Sequence, residues 1–241
     1  MTTTAAEVVD HLARILVHRA ERAPAHVLRV AVTGITASGK STLALALTRR
    51  LEDMGRAAFR VPIDGFHHAK AIRYRRGRES AEGYYRDAYD YELLLAHLLR
   101  PLGPGGNRAY LEQAFDLQTD APVEAQPKIA DAGSIAILDA SFLLRPEIRD
   151  SFDYRIFVQS SFEVAEERGV ARDHQSLGGI EEARRLYRQR YHEAQRIYFR
   201  EAEPLKGTLL LLREQPLRDG ARCLRPSRSF RNPAENSRGH R

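Results

Sequence analysis

A short glycine-containing stretch constrains the fold of this chain more than any other feature. Residues 34–41 are GITASGKS and match the pattern GxxxxGK(S/T) at every fixed position. Residues 27–32 have the pattern of a buried strand, and residues 42–51 have the leucine spacing of a helix. Glycine lets such a loop turn tightly, so that its N–H groups point at the oxygens of a polyphosphate. Strand, loop and helix in this order predict a phosphate-binding loop, or P-loop.

The loop predicts three partners: a nucleotide such as ATP or GTP, a Mg²⁺ ion and a phosphate group to be transferred. Lys40 is expected to reach the terminal phosphates, and Ser41 to give a hydroxyl ligand to Mg²⁺. A helix that begins at Lys40 would direct its positive end at the same anion. The predicted nucleotide-binding residues are Gly34, Ala37, Ser38, Gly39, Lys40, Ser41 and Thr42.

Length and composition exclude several classes of protein. A chain of 241 residues is long enough for one domain with a sizeable core. No apolar run approaches the length of a membrane span, and residues 1–6 lack the basic start and apolar run of a secretory signal. The single cysteine, Cys223, permits no internal disulfide. We therefore expect a cytoplasmic protein with no membrane partner.

The net charge of +6 is concentrated at the end of the chain. Residues 213–241 contain eight arginines and three acidic residues, which leaves the rest of the chain nearly neutral. This segment has almost no apolar periodicity, so it predicts a disordered or loosely attached tail after a single domain at residues 1–212. Nucleic acid is not an expected partner, because an unstructured terminus accounts for this composition better than a binding surface does.

Two aspartates follow predicted strands. Asp64 comes after residues 57–63 and precedes a glycine, and Asp139 follows the apolar residues 134–138. Open α/β sheets bind their ligands at the carboxyl ends of their strands. Asp64 is therefore a candidate for the chemistry, and Asp139 resembles a Walker B acid, which supports Mg²⁺. With Ser41, these two acids form the predicted metal site.

Other segments alternate between helix and strand. Helices are predicted at residues 5–20, 91–99 and 180–201, the last with its many charges in solvent, and strands at residues 154–158 and 208–212. This order predicts an α/β three-layer sandwich, in which a mostly parallel sheet has helices on both faces.

Three further segments are candidates for substrate contact. Residues 70–87 are rich in arginine and tyrosine and are predicted to form a loop that closes over a small substrate. Residues 103–127 form a second predicted loop. Ser161 is expected to cap a helix that carries Arg168 and Arg172, four residues apart, on one face.

Together, these segments resemble the uridine kinase branch of P-loop kinases, which also includes relatives of phosphoribulokinase and pantothenate kinase. The resemblance covers approximately residues 27–212. Beyond the loop, it rests on residues 62–67, 87–90, 115–116, 138–144, 168–173 and 190–198. It implies the P-loop kinase fold, with acceptor-binding insertions at residues 65–130 and a lid at residues 168–180. The helix predicted from apolar spacing lies before it, in residues 1–26.

The resemblance also implies roles for individual side chains. Asp64 takes the position of the catalytic carboxylate, which accepts the proton of the substrate hydroxyl and helps to hold the metal ion. Arg168 and Arg172 match lid arginines that close on the nucleotide phosphates, and Lys40 completes the predicted catalytic set. Asp87 matches the acid that holds ribose hydroxyls. The predicted acceptor-binding residues are Arg73, Tyr84, Tyr85, Asp87 and Phe115.

The chain departs from this family where the acceptor is recognised. Phe115 stands where uridine kinases usually have a tyrosine, and Asp120 stands near the position of a histidine that reads the pyrimidine edge. Losing such hydrogen-bonding groups weakens the discrimination between bases. Asp139 replaces a usual glutamate, Ala140 replaces a glycine, and the residues after Thr208 lack the usual close of the family.

The sequence as a whole predicts a kinase that transfers the γ-phosphate of ATP or GTP to a hydroxyl of a small-molecule acceptor. A nucleoside 5′-hydroxyl is the first choice of acceptor. Another small alcohol, such as a pantothenate-like compound or a sugar, is the alternative within this class. A nucleotide-dependent regulatory protein with a nucleic-acid-binding tail is an alternative from a different class. The sequence leaves open whether the protein is a homo-oligomer.

Overall fold

The computed structural model describes residues 4–206 and 208, together with the strands at residues 210–216 and 222–226. Ten strands are found among these residues. They are β1 (Leu28–Gly34), β2 (Ala58–Pro62), β3 (Ala109–Tyr110), β4 (Phe115–Asp116), β5 (Ala121–Pro122), β6 (Lys128–Ile129), β7 (Ile135–Ala140), β8 (Tyr154–Gln159), β9 (Leu210–Pro216) and β10 (Arg222–Pro226).

Six of these strands form the central sheet, in the order β10-β9-β8-β1-β7-β2. The neighbours β2, β7, β1, β8 and β9 are parallel, and only β10 runs antiparallel to its neighbour. Every residue of β1 is buried, as expected for an apolar strand covered on both faces. The short strands β3 to β6 pair with one another as two hairpin-like ladders outside this sheet.

Helices cover both faces of the sheet. They are α1 (Ala5–Glu21), α2 (Lys40–Asp53), α3 (Lys70–Arg73), α4 (Ala81–Asp87), α5 (Tyr91–Leu94), α6 (Arg100–Leu102), α7 (Phe162–Leu177), α8 (Ile180–Leu186) and α9 (Glu193–Ala202). A π-helical turn at Leu95–Leu99 joins α5 to α6, and a second one at Tyr187–His192 joins α8 to α9. None of the described helices is long and apolar enough to cross a membrane.

Two apolar cores lie on opposite faces of the sheet. On one face, α1 and α2 pack against β1, β7 and β8 through residues such as Leu12, Leu47 and Ile137. On the other face, the helices at residues 91–102 and 193–202 pack through residues such as Leu98 and Tyr198. Alternate residues of β1 therefore face different cores, which confirms the predicted three layers.

Sequence-encoded caps set where two of these helices begin. Thr4 and Glu7 form a capping box at α1, in which the Thr4 hydroxyl accepts from the Glu7 amide and the Glu7 carboxylate accepts from the Thr4 amide. Ser161 caps α7 by accepting from the Val164 amide, as predicted. The helix α7 then continues past Asp173 to Leu177, and Gly178 caps it in the left-handed conformation.

The predicted loop at residues 70–87 is instead partly helical. It contains α3 and α4, and Ser80 caps α4 by accepting from the Gly83 amide. The rings of Tyr84 and Tyr85 pack against the buried Phe142. Tyrosine buries a large apolar ring, so a segment that is polar in composition can still contribute to a core.

The prediction of a disordered tail from residue 213 is wrong for two described pieces of it. The strand β9 extends to Pro216 beside β8, and Arg222–Pro226 forms β10 beside β9. Ladder hydrogen bonds are made by the backbone, so these strands join the sheet without the apolar periodicity used to recognise strands. The other residues of the predicted tail lie outside the described part of the chain.

A buried ion pair fixes the amino end of β1. Both oxygens of the Asp153 carboxylate accept from the Arg29 guanidinium at 3.0 Å, and the Arg29 amide donates to the same carboxylate at 2.8 Å. Arg29 also donates to the carbonyl of Leu99 at 3.2 Å. Since the guanidinium is buried, its charge depends on this partner.

We therefore expect Asp153→Asn to destabilise the fold. It removes the negative charge while Arg29 stays buried, so the free energy of unfolding should fall by about 3 kcal/mol. Urea denaturation measures this change. Arg14→Gln is the matched control, because it breaks an exposed pair with Asp10 and should cost less than about 1 kcal/mol. Equal losses for the two variants would contradict the role of the buried pair.

Candidate active site

The P-loop follows β1 and is held tightly against β8. A Cβ atom at Gly34 would lie 2.3 Å from the carbonyl oxygen of Val158 and 2.7 Å from Oγ of Ser38, so only glycine fits there. The helix α2 begins at Lys40, as predicted, and Gly39 is its N-cap. The buried Oγ of Ser38 has no hydrogen-bond partner among the residues that the structure describes. An anion in the loop would supply one.

A cavity of about 410 Å³ opens beside the P-loop. Its polar end is formed by the predicted nucleotide-binding residues 37–42, but not Gly34, and by Arg168 and Arg172 from α7. Its other end is apolar and lies between α1 and α2, where it is lined by Ala5, Val8, Val9, Leu43 and Ala46. A polar end for phosphates beside an apolar end fits a nucleotide better than it fits inorganic phosphate.

Lys40 lies inside the loop. Its Nζ donates to the carbonyl of Ile35 at 3.3 Å. Burial lowers the pKa of Lys40 to about 8, although the negative charges of Asp64 and Asp139 act to raise it. Both predicted acids are therefore close enough to act on the lysine that would bind the phosphates.

The two arginines predicted to belong to a lid, Arg168 and Arg172, lie on one helix, as their spacing predicts. The Arg172 guanidinium donates to both oxygens of Asp173, at 2.7 and 2.9 Å. Asp173 also accepts from the hydroxyl of Tyr187 at 2.6 Å. At Gly169 a Cβ atom would lie about 2.0 Å from the Tyr187 ring, so glycine allows α7 to pack against this tyrosine. Tyr187 thus positions the helix that carries both of these arginines.

A second cavity, of about 230 Å³, contains Asp64 and is here called the acceptor cavity. Asp64 lies in a 3₁₀ turn directly after β2 and is exposed. Its Oδ1 accepts from the Tyr89 hydroxyl at 3.3 Å. Burial, together with the Asp64 charge, raises the pKa of Tyr89 well above its usual value, so this phenol stays protonated and can donate.

His67 also lines the acceptor cavity. Its Nδ1 lies 2.9 Å from the Asp64 carbonyl oxygen, and its ring is 4.2 Å from the Tyr89 ring. Burial lowers the pKa of His67, which keeps the imidazole neutral at neutral pH. The two groups that hold Asp64, the Tyr89 hydroxyl at its carboxylate and the His67 ring at its carbonyl, are therefore neutral.

Three arginines line the acceptor cavity, and two of them have acidic partners. Arg73 pairs with Asp120 at 3.2 Å and also donates to the His68 carbonyl at 2.6 Å. Arg172 pairs with Asp173, as described above. Arg190 has no ion pair among the described residues and is surrounded by tyrosine rings. The prediction that the charges of this helix lie in solvent is wrong for Arg190, which is only 8% exposed.

The structure places Asp139 near the P-loop, in β7 rather than beyond its end. Its carboxylate is buried and accepts from Nε and Nη2 of Arg60, at 2.7 and 3.0 Å. The strand continues to Ala140 because this residue pairs with Thr33 of β1. Asp139 is thus held rigidly behind the loop.

The donor set at the P-loop fits Mg²⁺. This ion prefers oxygen ligands and is usually bound through one or two carboxylates and the phosphates of a substrate. Ser41 lines the nucleotide cavity, and Asp64 and Asp139 act on Lys40 from nearby. No described group of three or more His, Cys, Asp or Glu side chains could hold a metal by itself. Phosphate oxygens would therefore have to complete the coordination.

Three of the predicted acceptor-binding residues do not line the acceptor cavity. Asp87, the last residue of α4, is buried, and Arg75 and Arg76 bind its carboxylate. Burial favours its neutral form, but these hydrogen bonds lower the pKa of Asp87, so the carboxylate stays charged and paired. Tyr85 points into the core, with the Arg145 guanidinium over its ring. Phe115 is buried in β4. Tyr84 and Arg73 do line the cavity.

Sequence reasoning missed several residues of this cavity. They are Thr36, His67, Tyr74, Tyr89, Asp173, Arg190 and Tyr191. Some signal was present, because residues 64–67, 87–90 and 190–192 had been recognised as segments shared with P-loop kinases. Those segments identify the right part of the chain, but they do not say which side chain of each faces the substrate.

Comparisons with known proteins identify the fold. No family model matches the chain, and a search of curated protein sequences finds no match. A possible uridine kinase from Bacillus stearothermophilus is 22% identical, with a TM-score of 0.65 over 84% of this chain and 96% of that one. A candidate fructose transport system kinase from a Silicibacter species is 23% identical, with a TM-score of 0.66 over 80% and 95% of the two chains. The D-glycerate 3-kinase of Cryptococcus neoformans is 11% identical, with a TM-score of 0.58 over 89% and 97%.

These solved structures establish that the chain has the P-loop kinase fold. The predicted α/β architecture is confirmed. The resemblance to uridine kinase-like P-loop kinases is confirmed at the level of the fold. The names of the three proteins mention uridine, fructose and D-glycerate, which are chemically different compounds. The fold therefore does not identify an acceptor.

The lowered pKa of Lys40 leads to a prediction about pH. A bound phosphate favours the charged lysine, so above a pKa of about 8 the empty site must take up a proton when a polyphosphate binds. We expect the affinity for tripolyphosphate to fall as the pH rises above about 8, by up to about tenfold per pH unit. Titration calorimetry between pH 7.5 and 9.5 measures this fall. Lys40→Arg is the control, since arginine stays charged and should bind with little pH dependence.

Proposed function

We propose that this protein transfers the γ-phosphate of ATP or GTP to a hydroxyl group of a small acceptor. One observation carries the proposal: the P-loop cavity and the cavity that contains Asp64 meet at Arg172, which alone among the described residues lines both. A phosphate donor on one side and a carboxylate on the other are what phosphoryl transfer to an alcohol requires. A nucleotide switch needs the first cavity but not the second.

In this reaction the acceptor hydroxyl lies beside Asp64. Its oxygen attacks the γ-phosphorus, the bond from that phosphorus to the β–γ bridging oxygen breaks, and ADP or GDP leaves. Asp64 orients the hydroxyl and accepts its proton as the new ester forms. Tyr89 holds one oxygen of Asp64, so that the other remains available to the acceptor. Lys40, Arg168 and Arg172 balance the negative charge on the transferred group.

Ser41 and Asp64, with Asp139 behind them, are the residues that would hold Mg²⁺. A bound Mg²⁺ ion would supply positive charge to the β- and γ-phosphate oxygens. Arg60 keeps the Asp139 carboxylate in one orientation by binding both of its oxygens. The protein therefore contributes oxygen atoms that are held in fixed orientations.

The proposal also concerns which compound accepts the phosphate. The sequence resemblance favours a nucleoside 5′-hydroxyl. Its recognition was expected to depend on Asp87 and Phe115, and neither residue lines the acceptor cavity. We therefore propose a small alcohol as the class of acceptor and treat nucleosides as one member to be tested.

We propose that the base of the donor nucleotide binds to the apolar wall formed by α1 and α2. This wall contains Ala5, Val8 and Val9 and offers no charged side chain to a base edge. A purine would be held there by its apolar faces and would be read only weakly by hydrogen bonds. We therefore expect both ATP and GTP to serve as donors.

The first test of this function concerns Asp64. Asp64→Asn keeps the size of the side chain but cannot accept a proton, so turnover should fall by about 10² to 10⁴-fold while ATP binding persists. ADP release in the presence of an accepted alcohol measures turnover, and calorimetry measures binding. Asp131→Asn makes the same chemical change at an exposed site outside both cavities and should leave both quantities unchanged. Turnover by Asp64→Asn at the rate of the unmodified protein would contradict the assigned role.

The second test concerns the apolar wall. Val9→Asp places a charge beside the proposed base position, so the dissociation constants of ATP and GTP should rise by about tenfold. Tripolyphosphate has no base, and its dissociation constant should stay the same. Ala6→Asp adds the same charge to the first turn of α1 outside the cavity and controls for the net charge of the helix. Equal weakening of ATP and tripolyphosphate by Val9→Asp would show that the base binds elsewhere.

A further inference from the structure

We infer that the acceptor carries an anionic group, a carboxylate or a phosphate, in addition to its reacting hydroxyl, and that Arg190 binds this group. The inference rests on the proposed function and narrows its class of substrate. It would make the protein a kinase for a small acidic alcohol.

The first support is the state of the Arg190 side chain. Arg190 is only 8% exposed and lines the acceptor cavity. Its buried Nε atom has no hydrogen-bond partner, and no ion pair to its guanidinium is found in the part of the chain that the structure describes. Arginine keeps its charge under all ordinary conditions, and a buried charge without a partner is costly. A protein that maintains such a group beside a cavity has a use for it there.

The neighbours of Arg190 hold it without neutralising it. The guanidinium carbon lies 5.0 Å from the centre of the Tyr84 ring, and 5.4 Å from the centres of the Tyr74 and Tyr191 rings. Cation–π contacts of this kind fix the position of an arginine. Burial raises the pKa of Tyr84 to about 12 and also raises that of Tyr191, so both phenols stay uncharged. The full positive charge therefore remains available to a ligand.

The other charges of the cavity do not offset this one. Arg73 and Arg172 are occupied by Asp120 and Asp173. Asp64 is needed for the acceptor hydroxyl, and its negative charge already acts on Lys40. The cavity thus has one carboxylate for the reacting hydroxyl and, in Arg190, one unpaired cation for another part of the same molecule.

The size of the cavity limits the ligand. About 230 Å³ is below the roughly 300–1,000 Å³ typical of cavities that bind drug-sized ligands. A hydroxy acid or a small sugar phosphate matches this size, and its anion would form a charge-assisted hydrogen bond with the guanidinium. A neutral nucleoside would leave Arg190 buried and unpaired. The reaction itself is unchanged: the alcohol oxygen gains the phosphoryl group, ADP leaves, and the alcohol proton is released.

The first experiment measures ADP release with matched acidic and neutral acceptors. The panel is D-glycerate, its neutral amide glyceramide, glycerol 3-phosphate, glycerol and uridine, each with ATP and Mg²⁺. We expect kcat/KM to be at least about 100-fold higher for an acidic member than for its neutral counterpart. D-Glycerate against glyceramide tests a carboxylate, and glycerol 3-phosphate against glycerol tests a phosphate.

The second experiment assigns this preference to Arg190. Arg190→Gln should raise KM for the accepted acid by about 100-fold, leave the KM of ATP within about twofold, and abolish the preference over the neutral counterpart. Arg190→Lys keeps the charge but loses the planar fork, so it should restore part of the preference. Arg188→Gln is the matched control, because Arg188 is exposed, pairs with Glu166 and lies outside the cavity. Thermal unfolding and tripolyphosphate binding check that each variant is folded.

The possible results separate this inference from the proposed function. ADP release with glycerol, glyceramide or uridine at rates equal to those of the acids would contradict the inference and leave the kinase reaction intact. The same conclusion would follow if Arg190→Gln and Arg190→Lys remained folded and kept the full preference for acids. Absence of acceptor-dependent ADP release with every member of the panel would contradict the inference and count against the proposed function as well.

Discussion

The site depends on keeping an ammonium group inside the P-loop without a carboxylate in contact with it. Lys40 donates to the carbonyl of Ile35, while Asp64 and Asp139 act on it from the ends of two other strands. Contact with either acid would neutralise the lysine and occupy the place of the phosphates. A parallel sheet solves this problem because the carboxyl ends of its strands lie along one edge. The acids are then near the lysine but belong to separate elements.

This arrangement also explains why β1 lies at the centre of the sheet. Its neighbours are β7, which carries Asp139, and β8, whose Val158 carbonyl lies against Gly34. The P-loop therefore rests on the two strands that flank it. Arg29 and Asp153 fix the opposite end of β1 by a buried ion pair. With both ends of the strand held, the loop has a rigid base on which to bind an anion.

For a physical reason, the sequence located the residues around the P-loop cavity better than those that line the acceptor cavity. The P-loop, the position of Asp64 and the spacing of Arg168 and Arg172 are local signals, because a few consecutive residues determine each of them. The acceptor cavity is formed by segments far apart in the chain. Neighbouring residues of a helix point in different directions, so Tyr84 reaches this cavity while Tyr85 enters the core.

Arg190 shows a further limit of pattern reading. It lies in the π-helical turn at Tyr187–His192, where the backbone departs from the usual 3.6 residues per turn. Its spacing of four residues from the buried Leu186 and Ala194 still places it on the buried face of the helix. It was expected in solvent only because charged side chains are usually exposed. The prediction of a disordered tail was wrong for a different reason. Beyond Leu212, the rest of β9 and the whole of β10 join the sheet through their backbones, which leave no trace in the spacing of apolar side chains.

The same π-helical segment connects the two halves of the site. Tyr187 at its start bonds to Asp173, the partner of Arg172, which is predicted to belong to a lid, and Arg190 lies three residues further on. A ligand that binds Arg190 and shifts this turn would also act on Tyr187, and hence on the helix that carries Arg172. If the bound acceptor changes the affinity for the nucleotide by some factor, thermodynamic linkage requires that the nucleotide change the affinity for the acceptor by the same factor. A lid that responds to both substrates would favour transfer to the acceptor over loss of the phosphate to water.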